Sequence, residues 1–178
     1  MRHWRIKVAG VAMCAAAVGI GSVAVADNGS RKISDRLSSF QEVPALSSAG
    51  YGEFRASINK AGDAIDWTLT FSALVADATQ AHIHFENATN TGPVVVFLCS
   101  NLGNGPAGTQ ACPAAGGSIS GRIGAGDVLG STAQGLSAGD LAGLMNAIGA
   151  GATYVNVHSV KYPAGEIRAQ LNGQHGHN

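Results

Sequence analysis

Two runs of strict alternation joined by a turn constrain this chain more than any other feature. Phe54, Ala56 and Ile58 alternate with Glu53, Arg55 and Ser57; after Lys60-Ala61-Gly62-Asp63, Ile65, Trp67, Leu69 and Phe71 alternate with Asp66, Thr68 and Thr70. Successive side chains on a strand point to opposite faces, so a period of two reads as a hairpin with one buried face. A helix would scatter those apolar residues around its circumference, which rules helix out here.

The same reading extends along the chain. Pro93 to Leu98 is a continuous apolar run suited to a central strand, and Ser118 to Ile123, Thr153 to His158 and Glu166 to Leu171 are further strands. One helix is expected from Ser137 to Ile148, with Ser137 as cap, Asp140 completing a capping box, and Leu141, Leu144, Met145 and Ile148 at helical spacing. About seven antiparallel strands in one small domain imply an all-β fold, an antiparallel β-sandwich or flattened Greek-key barrel with one short helix.

The N-terminus sets the compartment. Arg2, Arg5 and Lys7 precede an apolar, Ala- and Gly-rich stretch that ends in Ala24-Val25-Ala26, the pattern of a cleavable signal peptide over residues 1–26. The expected organisation is that signal, a polar leader over 27–36, a β-domain over 37–172 and a disordered tail over 173–178. The expected location is secreted or periplasmic, with no membrane span after cleavage. Three of the eleven basic residues and none of the eleven acidic ones lie in the signal, so the mature chain is net negative by three. That balance excludes a nucleic-acid partner, which calls for a basic face. Cys99 and Cys112 are the cysteines left, flanking a Gly/Pro-rich stretch, and in an oxidising compartment they read as a disulfide rather than as thiolate ligands.

Three histidines carry the chemistry. His82 and His84 share the polar face of Ala81-His82-Ile83-His84-Phe85, and His158 ends Tyr154-Val155-Asn156-Val157-His158, where Asn156 and His158 oppose Val155 and Val157. Side chains two apart on a strand stand on one face, so the pair can grip one ion, and a neighbouring strand can add the third imidazole at about 2 Å. The expectation is a copper or zinc ion on His82, His84 and His158, from outward-facing side chains, with affinity falling as pH drops through about 6.5. Glu166 and Arg168, sharing the outward face of the last strand, are candidates to orient an imidazole or an anion; Gln41 and Glu42 are left between a structural and a supporting role. No phosphate-binding glycine motif and no nucleophile elbow is present.

Five motifs in order, Phe40-Gln41-Glu42-Val43-Pro44, Ala81-His82-Ile83-His84, Gly92-Pro93-Val94-Val95-Val96, Tyr154-Val155-Asn156-Val157-His158 and Gly165-Glu166-Ile167-Arg168-Ala169-Gln170-Leu171, resemble the CHRD domain named for its repeats in chordin. The resemblance spans about 37–172 and implies an antiparallel β-sandwich in an extracellular setting. The His-x-His strand followed by a Val-x-Val-His strand is also similar to the copper-ligand pattern of Cu/Zn superoxide dismutases. By that resemblance His82, His84 and His158 would be ligands and Arg168 would stand where those enzymes guide substrate. No histidine lies between His84 and His158, so the bridging ligand and the zinc cluster have no counterpart, and dismutase activity is not expected. Two functions stay open: metal storage, delivery or redox protection, and a metal-free extracellular interaction module with a protein partner.

Overall fold

A computed structural model describes residues 31–172 of the chain, together with Met1; the expected signal peptide and tail lie outside the described residues. Eight strands form one antiparallel sheet: β1 (Lys32–Ser38), β2 (Tyr51–Ile58), β3 (Ile65–Ser72), β4 (Ala78–Phe85), β5 (Val94–Ser100), β6 (Gly117–Ile123), β7 (Thr153–Ser159) and β8 (Ile167–Leu171). Their order is β5-β4-β7-β8-β1-β2-β3-β6. The expected hairpin is there, with Phe54 opposite Leu69 and Ile58 opposite Ile65. Its alternating residues, Phe54, Ala56, Ile58, Ile65, Trp67, Leu69 and Phe71, are all buried.

The sheet curls until its two edge strands nearly meet. Gln110 closes the seam, its Nε2 donating to the Leu98 carbonyl on β5 and the Ser120 carbonyl on β6, each at 3.2 Å. The segment carrying Gln110 is held by the Cys99–Cys112 disulfide, whose Cα atoms are 5.0 Å apart. Covering and closing an edge removes the unpaired backbone groups through which sheets otherwise associate.

Three local expectations need correction. The run Pro93 to Leu98 falls in β5, an edge strand and not a central one: its pairing with β4 shifts register between Ala81 and His82 and again between Ile83 and His84. Each irregularity fits an extra residue into β5, so Val95, Val96, Leu98 and Cys99 all turn inward, giving a continuous apolar run without burial on two faces. The helix, α1 (Leu141–Gly149), is capped by Asp140, three residues after the expected cap, and Asp140 accepts from the Gly143 amide at 2.8 Å. Gly139, at φ +81°, stands in a left-handed conformation that no helical turn tolerates, so Ser137 cannot be the cap. Finally, β1 takes Lys32 to Arg36 out of the expected leader; Ile33 and Leu37 are its only large apolar residues, with Asp35 between them on the same face, so the strand hides behind charge.

Candidate metal centre

Strands β4, β7 and β8 lie side by side in the sheet. The register places His82 opposite Asn156 and His84 opposite Tyr154, and on the far side of β7 it places Asn156 opposite Arg168 and Tyr154 opposite Gln170. Val155, Val157, Ile167, Ala169 and Leu171 pack into the barrel core. The alternate residues build a second, polar layer on the outer face. That layer is buried: His82 is 2% exposed, His84 7%, His158 6% and Arg168 1%. The histidines therefore oppose the core as expected, but they do not face solvent.

Aromatic rings and backbone segments roof them. Phe97 of β5 meets His82 edge-on, with centroids 4.4 Å apart, and Tyr154 stacks flat on His84 at 4.6 Å. The Arg168 guanidinium lies over the Tyr154 ring, 3.4 Å from its centroid, and Nη2 donates to the Asn87 carbonyl. His84 Nδ1 donates to the Gly92 carbonyl at 2.9 Å and His158 Nδ1 donates to the Pro163 carbonyl at 3.0 Å. A carbonyl can only accept, so each ring, when neutral, keeps its proton on Nδ1; Nε2 of His158 is then bare, and Nε2 of His84 faces the acceptor Oδ1 of Asn156, an unfavourable meeting of two lone pairs. Orienting an imidazole through its second nitrogen in this way is the usual support of a metal-binding histidine.

One ligand-capable nitrogen from each of His82, His84 and His158 lies within 4.8 Å of the other two. His82 Nδ1 and His158 Nε2 are 3.2 Å apart. Two nitrogens on a tetrahedral ion at about 2.05 Å sit about 3.3 Å from each other, so this edge already has a metal's dimensions. Without an ion, His82 Nδ1–H donates to the bare His158 Nε2, which leaves His82 Nε2 buried with no partner. The Asn156 side-chain oxygen Oδ1 is 3.1 Å from His84 Nε2.

Burial depresses all three basicities. It takes His82 to about 3, helped by the neighbouring His158 and His84 rings, and His158 to about 4 against the opposing Pro163 bond. It also lowers His84, where the Gly92 and Asn156 contacts resist and the Arg168 charge assists. Neutral imidazoles are the form a metal needs. The sequence-based expectation of proton competition near pH 6.5 assumed exposed rings, and burial moves that competition lower.

The supporting residues divide. Arg168 joins the imidazole layer, as its place on β8 anticipates. Glu166 does not: its Oε1 accepts from the Val75 amide at 2.8 Å and its Oε2 from the Ser159 hydroxyl at 2.5 Å, pinning the β3–β4 turn to β7. The carboxylate beside the layer is Glu42, its pKa raised by burial and held down by the Arg168 charge and by bonds from Val43 and Asn156. Glu42 packs against Gly165, where any side chain would collide with it and with Asn156. Tyr154 was within reach of the sequence, since it shares alternation with Asn156 and His158; the Gly92 and Pro163 carbonyls carry no side-chain signal.

A wide surface concavity lies elsewhere, over the Arg55, Trp67 and Arg122 region of β1, β2, β3 and β6, and does not touch the imidazoles. No helix among the described residues is long and apolar enough to cross a membrane. Neither the curated proteins nor the solved structures compared with the chain match it. A family model described as the CHRD domain does, over residues 33–171, from the second residue of β1 to the last of β8. CHRD domains are generally extracellular, and with nearly the whole described chain covered by that match, this protein belongs to the CHRD domain family.

Proposed function

We propose that this protein is a secreted or periplasmic metal-binding protein that holds one copper or zinc ion through His82, His84 and His158. The observation that carries the reading is the convergence of three neutral imidazoles within 4.8 Å, two of them oriented by backbone carbonyls. Imidazole suits both ions, and copper binds the more tightly where both are available. To take the ion, His82 moves its proton from Nδ1 to Nε2, and the lone pair of His84 Nε2 turns to the ion instead of to Asn156 Oδ1. Three ligands under an aromatic roof suit holding or handing over an ion better than turning over a substrate, so storage, delivery or redox protection is favoured over enzymatic activity.

A metal-free interaction module is the second reading, and the His82–His158 hydrogen bond favours it, because the two rings bond to each other without an ion. What weighs against it is that His82 Nδ1 and His158 Nε2 stand 3.2 Å apart with His84 beside them, a spacing that a shared ion fits as well as a hydrogen bond does. Elemental analysis and chelator competition on untagged protein separate the two. The metal reading requires one equivalent bound by the wild type and loss of binding when any one of the three histidines becomes Ala. Failure of the untagged wild type to bind either ion, or binding that survives the triple substitution, overturns it.

A further inference from the structure

Among the described residues, the largest side chain to be fully buried is a charged one, Arg168, 1% exposed. The ion pairs among those residues are Arg55–Glu53 and Arg122–Asp66, so no carboxylate oxygen comes within 4.0 Å of its guanidinium. Burial holds Arg168 below its ordinary pKa, against the pull of Tyr154 and of the more distant Glu42 and Glu86. Taking a charge out of water without a counter-ion is costly, and the field it casts on its neighbours is little screened.

That field falls on the imidazole cluster. The guanidinium lies 3.4 Å from the centroid of the Tyr154 ring, and the His84 ring lies parallel to Tyr154, 1° between planes and 4.6 Å between centroids. Strand β7 runs between β4 and β8, so Tyr154 stands between the other two, and His84, Tyr154 and Arg168 form one stacked column. The Nη2 bond to the Asn87 carbonyl fixes its outer end. At the inner end, His84 supplies one of the three converging nitrogens, and no fourth His, Cys, Asp or Glu among the described residues joins that group. Imidazoles bind metal in their neutral form, so the three ligands bring no negative charge to an ion, while the charge stacked against them is positive. Repulsion grows with the product of the charges, so a divalent ion meets twice the penalty of a monovalent one. Coordination number acts in the same direction. Zn²⁺ is almost always four-coordinate and Cu²⁺ prefers a tetragonal set, whereas closed-shell Cu⁺ is satisfied by three donors in a plane. With the ligands 2–7% exposed beneath Phe97 and Tyr154, a fourth donor from solvent has little access.

We propose that the centre takes copper as Cu⁺, and that Arg168, acting through the Tyr154 stack, sets this preference over Cu²⁺ and Zn²⁺. The inference rests on the metal-binding reading above and adds the charge of the ion and the residue that selects it. In a medium of effective dielectric about 20, one unit of charge about 8 Å from an ion changes its affinity about thirtyfold per unit of ionic charge; partial offset by Glu42 and Glu86 brings this to about tenfold. The test is chelator competition on the full untagged protein, with Cu⁺ kept reduced by ascorbate in the absence of oxygen and with Cu²⁺ and Zn²⁺ in parallel. The wild type should bind Cu⁺ at least about tenfold more tightly than either divalent ion. Arg168→Gln should lower the ratio of Cu⁺ to Cu²⁺ affinity about tenfold, which lowers the reduction potential of the bound ion by about 59 mV. Arg168→Lys, which keeps the charge, should hold the ratio within about threefold of the wild type. A merely structural role would change both affinities together and leave their ratio where it was. The wild-type ratio decides the matter even where Arg168→Gln fails to fold. Equal or tighter binding of Cu²⁺ or Zn²⁺ by the wild type, or an unchanged ratio in folded Arg168→Gln, overturns this proposal and leaves metal binding standing; binding of none of the three ions removes the metal-binding reading with it.

Discussion

Acidification of the metal-free protein probes the imidazole layer directly. An unfolded histidine titrates near 6.5, whereas the folded state holds His82 near 3 and His158 near 4. Between these values the unfolded chain binds protons that the folded chain refuses, so stability is highest above pH 6.5 and falls as pH is lowered toward the folded values. At pH 5 each of the two rings removes about 2 kcal/mol relative to neutral pH, or about 4 kcal/mol together. A domain of this size has about 5–15 kcal/mol in all, so the loss is large. His84 acts in the same direction, while Glu42 and Asp35, both raised by burial, act in the opposite one as pH falls. A variant isolates the imidazole contribution from those carboxyls. Urea unfolding of chelator-stripped wild type and His82→Gln at pH 7 and pH 5 should show the variant losing about 2 kcal/mol less than the wild type over that interval. Equal losses in the two proteins, or a wild-type loss under about 1 kcal/mol, would refute the claim that these rings are buried and neutral.

Metal affinity should show the complementary behaviour: with the folded imidazoles neutral well below pH 6, the affinity for Cu²⁺ or Zn²⁺ at pH 5.5 should stay within about tenfold of that at pH 7.5, as read by chelator competition. A steep drop through pH 6.5 would mean exposed rings. Gly165→Ala forces a methyl group into the Glu42 carboxyl and the Asn156 amide, from a backbone at φ +129° that alanine rarely adopts, and should lower stability by about 2 kcal/mol or more in thermal unfolding. Reduction of Cys99–Cys112 should lower stability by about 3 kcal/mol in the chain-entropy model, seen as a lower unfolding midpoint with reductant present. Copper-loaded protein should dismutate superoxide far below the diffusional ceiling of about 10⁹ M⁻¹s⁻¹, because no bridging imidazole or zinc cluster accompanies the three histidines; a rate near that ceiling would make the protein an enzyme.

The fold was legible where a strand has one polar face and one apolar face. Alternation placed β2 and β3 almost to the residue, because exposure on one side keeps the period of two visible, and β7 as well, because polar Asn156 and His158 alternate with Val155 and Val157 although both of its faces are buried. It misled at β5, where two register shifts turn neighbouring apolar residues to the same side and imitate a doubly buried strand. It was silent at β1, where Asp35 shares the face of Ile33 and Leu37. Helix onset failed for a different reason: Ser137 and Asp140 both satisfy the composition of a cap, and only the left-handed Gly139 between them decides which one is used.

The candidate site shows the same division between side chain and context. That His82, His84 and His158 converge follows from alternation plus adjacency of β4 and β7, and adjacency was an assumption that the register supports. Their burial could not be read, because on an outer sheet face a polar residue looks the same whether it meets water or a covering loop. The cover comes from Phe97 on a bulged edge strand and from loops that contribute carbonyls rather than side chains. Burial is also what separates the two readings of these residues. Exposed imidazoles would be protonated and released within the pH range of ordinary fluids, whereas imidazoles held neutral by desolvation can keep an ion across that range, at the expense of the metal-free fold's stability in acid.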